Sequence, residues 1–536
     1  MNNWLWRIVL LLLALSLVAC AGGTNEPRPI AVEPHQGGAE PVEVTVVVTA
    51  EGAAEPALMA TQAPTAPTIA EATEEATEES PAATPEAEFE YYGANPYVET
   101  GMDRLSTFAL DVDTASYSVA RNYIMEGTLP PASAIRVEEF VNYFEQDYVN
   151  PDNVAFGIYA DGAPSPFHRD GTHIMRVGIK GYDVAAEERL PTALTFVVDV
   201  SGSMSGENRL GLVKQSLQLL VERLRPDDTV AIVVYGDTAR VALPPTRGAE
   251  QDLILSVIHS LTPEGSTNAE AGLRLGYQIA NQAFIPGGVN RVVLCSDGVA
   301  NVGLVDPAGL TEALRGYADA GITLTSVGVG MSGYNDVLME QLANDGDGNY
   351  AYIDTLEEAK NLFVDNLTST LQVIALNAKV QVDFNPDVVA RYRLLGYENR
   401  DVADQAFRDN TVDAGEIGAG HTVTALYAVE FYPNAAGRVA TVQLRWEDPQ
   451  THEVRELAGE FNSFDMAPSF DAASLRYQLD VVVAQYAEVL RYNPEAMQTS
   501  LSDLRVRAER LAAQLPADPD VTEFAQLVER ATLLQP

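Results

Sequence analysis

Between Pro191 and Ala375 the chain alternates short apolar runs with amphipathic ones so regularly that few folds can accommodate it. The apolar runs are LTFVVDV, TVAIVVYG, RVVLCSDG, ITLTSVGVG and NYAYI. They are β-branched and nearly continuous, the pattern of strands buried on both faces. After the first of them, Leu210, Val213, Leu217, Leu220 and Leu224 recur at spacings of three and four, which draws one apolar helix face. AEQDLILSVIHSL, NAEAGLRLGYQIANQAF, AGLTEALRGYADAG and EEAKNLFVDNLTSTLQVI predict further helices. Strands alternating with helices predict a doubly wound, mostly parallel, Rossmann-like α/β sheet covered on both faces.

A chain of 536 residues is too long for one core, so other domains are expected around this one. Residues 91–190 predict a flanking α+β segment. In it LSTFALDVDTASYSVARNYIMEG gives a strand and a helix capped near Asp113 or Thr114 and closed by Gly127. RVEEFVNYFEQDY gives a second helix, and DGTHIMRVGIKGYDV a strand leading towards the central unit, residues 191–375. Residues 376–470 carry alternating runs such as HTVTALYAVEFYP and GRVATVQLRWEDP, which predict a smaller, mainly antiparallel β domain. Residues 471–536 read as helices to the end.

The N-terminus sets the compartment. MNNWLWRIVLLLLALSLVAC has Arg7, then an apolar stretch Ile8 to Ala19, too short to span a bilayer but right for a signal-peptide core. Leu17-Val18-Ala19-Cys20 resembles a bacterial lipobox, which makes 1–20 a lipoprotein signal peptide and Cys20 the lipidated residue. Several acyl chains on one residue, at ~0.8 kcal/mol per buried CH₂, make a durable membrane anchor. Ala21 carries no aspartate-type retention signal, so in a cell with two membranes the outer one is expected. Cys295 is the only other cysteine, is left without a partner, and is expected as a small buried hydrophobe.

Residues 21–90 hold 14 Glu, nine Pro and a single basic residue, Arg28. Such a segment cannot bury enough to offset its ordering entropy and reads as an extended, disordered acidic tether. VEVTVVVTA, Val42 to Ala50, is read as a solvated run within it, with a docking β segment as the alternative. The formal net charge of −43 argues against nucleic acid, whose phosphates need clustered Lys and Arg, and suits a surface on which divalent cations gather.

In open α/β sheets ligands bind at the carboxyl ends of the strands. Asp199, Ser201 and Ser203 follow the first strand, Asp297 follows RVVLC, and Thr267 lies in PEGSTN, the loop that opens a helix. Two carboxylates and three hydroxyls thus meet at one rim. Oxygen-only donors with few charges suit a hard cation, Mg²⁺ or Mn²⁺.

Enzyme readings find little support. No nucleophile elbow, Walker A lysine or HExxH is present, and the six histidines are scattered. GVGMSG (Gly328 to Gly333) follows a late strand, not the first, so its glycines serve a tight turn and not a dinucleotide. DGDGN (Asp345 to Asn349) lacks the glycine and closing glutamate of an EF-hand and reads as a helix-to-strand turn. DVDTAS (Asp111 to Ser116) reads as a helix cap.

Asp199-Val200-Ser201-Gly202-Ser203, then Thr267, then Asp297 resemble the metal-ion-dependent adhesion site of von Willebrand factor A (VWA) domains. The resemblance implies that Asp199, Ser201, Ser203, Thr267 and Asp297 hold a divalent metal and leave one position for a partner's carboxylate. TFALDVDTASYSVARNYI and VQVDFNPDVVARYRLLGYENR are similar to the outer blocks of bacterial YfbK-type VWA lipoproteins, so the resemblance covers roughly residues 91–510. The long tether departs from that family's pattern. The expected function is therefore a cell-envelope lipoprotein that captures an acidic protein partner through its metal. A metal-independent envelope scaffold is the alternative, and a metal-dependent hydrolase the more distant one.

Overall fold

The computed structural model describes residues 87–535, apart from 111–112, 152–153, 169, 186, 207, 299–306, 367–370 and 413. Expectations for the leader, Cys20, the Val42–Ala50 run and nearly all of the tether therefore fall outside the described residues. Its last residues do not: Glu88 pairs in parallel with Asn335, so Ala87–Glu90 already lies on the folded part.

The central unit is a six-stranded sheet. From one edge to the other its strands are Tyr350–Ile353, Thr323–Val329, Val289–Ser296, Thr192–Asp199, Thr229–Tyr235 and Ala239–Arg247. All neighbours are parallel except the last pair. The five expected strands are present. The sixth, ARVALPPTR, contains Pro244 and Pro245, which an edge strand tolerates because one row of its N–H groups points to solvent. Thr192–Asp199 lies in the middle and is buried along its whole length. The helix Leu210–Val221 packs on one face through Leu210, Val213, Leu217 and Leu220, and Ala269–Gln282 covers the other through Leu273, Tyr277 and Ala280. Cys295 is buried in the core, and burial pushes its thiol up to about 12, so it packs and does not react. The Asp345 to Asn349 stretch joins the helix Asp336–Asp345 to the strand Tyr350–Ile353, the turn expected there.

The two flanking segments form a joint body. One sheet runs Val98–Glu99, Val389–Leu395, Thr422–Phe431, His173–Gly181 and Phe156–Pro164, mixing strands from before and after the central unit. In a second sheet Leu105–Ala109 pairs with Val373–Phe384, Phe108 opposite Val380. Phe156, Ile158 and Val177 from the first sheet share a core with Val380, Val382 and Leu444 from the second. The central unit is thus inserted between two halves of a β-sandwich.

The helix Ala115–Met125 corrects one local expectation. Thr114 makes no side-chain cap, and the Asp113 carboxylate instead accepts Tyr350 N–H (2.9 Å) and Arg400 Nη2 (3.3 Å). The Ser116 N–H is taken by Glu139 of the next helix at 2.7 Å. A tertiary carboxylate replaces the local cap.

Three C-terminal helices, Leu475–Leu490, Leu501–Gln514 and Pro519–Leu534, complete the molecule, each opened by a capping side chain: Ser474, Ser500 and Asp518. Asp520 is half-buried beside Asp518, Glu358 and Glu523, and burial first, then those charges, pushes its carboxyl up to about 6. The folded chain holds this proton more tightly than the unfolded one, so the stability it gives is full below about pH 4 and lost as pH rises through about 6. Asp520→Asn should therefore raise stability at pH 7.5 by about 1 kcal/mol, once solvent screening at a half-buried position is allowed for. Thermal melts check this; a lower melting point would mean that the helix N-terminus favours the carboxylate more than its acidic neighbours oppose it. Among the described residues no helix is long and apolar enough to cross a membrane.

Candidate functional site

The strand Thr192–Asp199 ends on a fully buried carboxylate. Asp199 Oδ1 accepts the N–H of Ser201 at 2.8 Å, which turns the chain back sharply, and a short 3-10 helix, Gly202–Ser205, follows. That turn brings Ser201 Oγ and Ser203 Oγ within 2.9 Å of each other. Met204, wholly buried, pins the turn to the core. The other carboxylate oxygen, Oδ2, accepts Ser296 Oγ at 3.0 Å from the adjacent strand.

Asp297 follows that strand and is also fully buried. Thr267 arrives on a third loop, fastened to the first by a hydrogen bond from Gly202 N–H to Gly265 O at 3.0 Å. Gly265 has φ +74°, and a Cβ there would stand 2.7 Å from the Asp237 carboxyl. Asp237 in turn holds Ser266 through its N–H (2.8 Å) and Oγ (2.7 Å). Asn268 then caps the helix Ala269–Gln282. The loops that carry all five expected residues meet at the carboxyl edge of the sheet. Direct hydrogen bonding joins Asp199 to Ser201 and Ser201 to Ser203, while Thr267 is held near them by its loop's backbone.

Burial pushes the Asp199 carboxyl up to about 6; hydrogen bonds from Ser201 oppose this and the Asp297 charge adds to it. Burial and then the Asp199 charge also hold the Tyr235 hydroxyl well above its ordinary range. Two desolvated carboxylates that repel one another, beside hydroxyls that can supply neutral oxygens, fit a small hard cation. Among the described residues no group of three or more His, Cys, Asp or Glu is placed to hold a metal, so a cation here relies on the hydroxyls.

Arg209 was not among the expected residues. Its Nη1 donates to Asp297 Oδ2 and to Ser203 O, each at 2.7 Å, and Nη2 reaches Ser332 O at 3.3 Å. A signal for it existed: an arginine directly before the helix Leu210–Val221 faces the positive end of the helix dipole and needs an anion to hold it. Gly330 of the GVGMSG stretch makes the tight turn expected there, with φ +71°, and a Cβ on it would come within 2.5 Å of Arg209 Nε.

Three family models match successive parts of the chain. The von Willebrand factor type A domain model matches residues 194–299, the von Willebrand factor model matches 83–176, and the model described as uncharacterized protein YfbK, C-terminal, matches 369–534. Uncharacterized protein YfbK of Escherichia coli (strain K12) is 36% identical over 472 residues, covering 83% of this chain and 81% of the relative. The chain belongs to the YfbK family of VWA proteins. Uncharacterized protein sll0103 of Synechocystis sp. is 25% identical over 346 residues, 62% of this chain and 78% of that protein. The solved von Willebrand factor type A structure from Catenulispora acidiphila is 16% identical with a TM-score of 0.41, covering 71% of this chain and 90% of that one. The VWA domain of this YfbK-family chain is the central α/β unit, and the two outer blocks share sheets with each other and not with it.

Proposed function

We propose that this protein is an exported, lipid-anchored binding module. In this reading Asp199, Ser201, Ser203, Thr267 and Asp297 hold Mg²⁺ or Mn²⁺, and an Asp or Glu carboxylate of a protein partner completes the shell. The supporting observation is that two buried carboxylates and hydroxyls from three loops share one sheet edge. When bound, a divalent cation supplies a positive charge that one external carboxylate can satisfy. The chain's own residues do the rest. Asp199 and Asp297 set the charge of the site, Ser201 and Ser203 supply neutral oxygens, and the Met204 anchor keeps the turn in place. Binding, not turnover, is the activity assigned to this donor set, because in this reading both carboxylates are committed to the cation and its open position goes to a partner's carboxylate.

Calorimetric titration of Mg²⁺ and Mn²⁺ into the full chain tests the metal, and the absence of any binding up to millimolar concentrations would remove it. The anchor rests on the LVAC sequence at Cys20. Cys20→Ser is expected to move the protein from the membrane fraction to the soluble one; a variant that stays with the membrane would refute lipidation there.

A further inference from the structure

We propose that Arg209 is a built-in competitor for the cation site, holding Asp297 until a divalent cation draws that carboxylate away and the guanidinium turns into the adjoining groove. The inference rests on the metal reading above and adds a control to it.

Three observations carry it. Arg209 is tied to three separate elements, the Ser203 turn, Asp297 and Ser332, although its position before a helix disfavours a cation. Its tie to Asp297 is charge-assisted and reaches a carboxylate with no solvent exposure, where Coulomb interactions are little screened. Gly330 leaves its seat open, since any Cβ there would crowd the guanidinium stem at 2.5 Å. A carboxylate oxygen so engaged at 2.7 Å is shared with an incoming cation or released to it, and two like positive charges side by side repel.

The side chain also has somewhere to go. Arg209 lines a groove of about 990 Å³ between the VWA rim and the first flanking block. Asn122, Tyr123, Glu126 and Leu129 form one wall, and Glu88 stands on another. Glu88 and Glu126 offer new counter-charges to a displaced guanidinium. An acidic partner segment entering the same groove offers a third, so cation and partner binding reinforce one another through this arginine.

The test compares the full chain with Arg209→Gln, Arg209→Lys and Gly330→Ala, titrated with Mn²⁺ and Mg²⁺ alone. Gln keeps a donor for Ser203 O but removes the charge, and is expected to bind Mn²⁺ at least about tenfold more tightly. Lys keeps the charge and should stay close to the parent chain. Gly330→Ala keeps the arginine but crowds its seat, and should tighten binding in the same direction as Gln. In EDTA, Arg209→Gln should melt below the parent, and Mn²⁺ should close the gap. Equal or weaker Mn²⁺ binding by both Arg209→Gln and Gly330→Ala would overturn the competitor role and leave Arg209 a positioning residue for Ser203 and Asp297. Absence of binding in the parent and in every variant would overturn the metal site itself, which separates the two failures. Binding by Arg209→Gln where the parent binds nothing would support both.

Discussion

Asp199→Ala is expected to abolish divalent-cation binding, a loss of at least about 100-fold, or about 3 kcal/mol, while leaving the protein folded. The two halves of that expectation have separate causes. For binding, Asp199 is the carboxylate at the centre of the rim, bonded to the Ser201 turn on one side and to Ser296 on the other. Removing it takes away half the negative charge of the proposed donor set and the bond that closes the turn around Ser201 and Ser203. For folding, the charge is a liability: burial and the nearby Asp297 lift its carboxyl to about 6, so at neutral pH its ionised form is held against a penalty. Loss of two hydrogen bonds, at about 1 kcal/mol each, is thus largely offset by relief of that penalty. Asp199→Asn keeps one acceptor and should lose binding equally with even less effect on stability. Calorimetry with Mn²⁺ and a thermal melt on the same samples decide it. Parent-like binding by Asp199→Ala would place the cation elsewhere and give weight to the scaffold alternative, in which the flanking blocks make the contacts.

The sequence spoke clearly where structure is periodic or where chemistry sits at the end of a strand. Thr192–Asp199 and its parallel neighbours were legible because strands buried on both faces leave nearly unbroken apolar runs. Asp199, Ser201, Ser203 and Asp297 could be singled out because they sit at the ends of those strands, and Thr267 because its loop opens a helix. Asp336–Asp345 was legible only from its two ends, the GVGMSG turn before it and the helix-to-strand turn at Asp345: its own apolar stripe is short and acidic residues interrupt it, although Asn335 caps it through Leu338 N–H at 2.9 Å. The joint β-sandwich was illegible for a different reason. Phe108 pairs with Val380 across the whole inserted VWA domain, and nothing local in either strand specifies a partner so distant. Arg209 lay between these cases. Its clash with the helix dipole could be read, but not that Asp297, on another loop, resolves it.

That inserted arrangement exposes the molecule to its second large effect, at Arg136. Its guanidinium is buried and binds Glu139 at 3.1 Å on its own helix, then Asp336 at 3.0 Å and Glu340 at 2.7 Å on the VWA helix Asp336–Asp345. Glu340 also takes Arg400 at 3.1 Å, and Asp336 takes the Tyr350 hydroxyl at 2.6 Å, so the cluster joins the first flank, the VWA domain and the second flank. Burial pushes the Glu139 carboxyl up to about 8 even with Arg136 pulling it down, so its ionised form is costly to keep. Arg136→Met preserves volume but leaves three buried acids facing one another with less positive charge. The expected loss is about 3–5 kcal/mol, against about 0.5 kcal/mol or less for Arg438→Ala, whose ion pair with Glu460 is exposed on both sides. Without Arg136 the Glu139 carboxyl rises further while the unfolded one stays near its usual range, so the loss should be larger at pH 8 than at pH 5. Urea unfolding at both pH values measures it, and Glu340→Gln added to Arg136→Met should recover part of the difference. A loss under about 1 kcal/mol at pH 8 would mean that the cluster relaxes around the gap and that the flanks are held to the VWA domain by their apolar contacts instead.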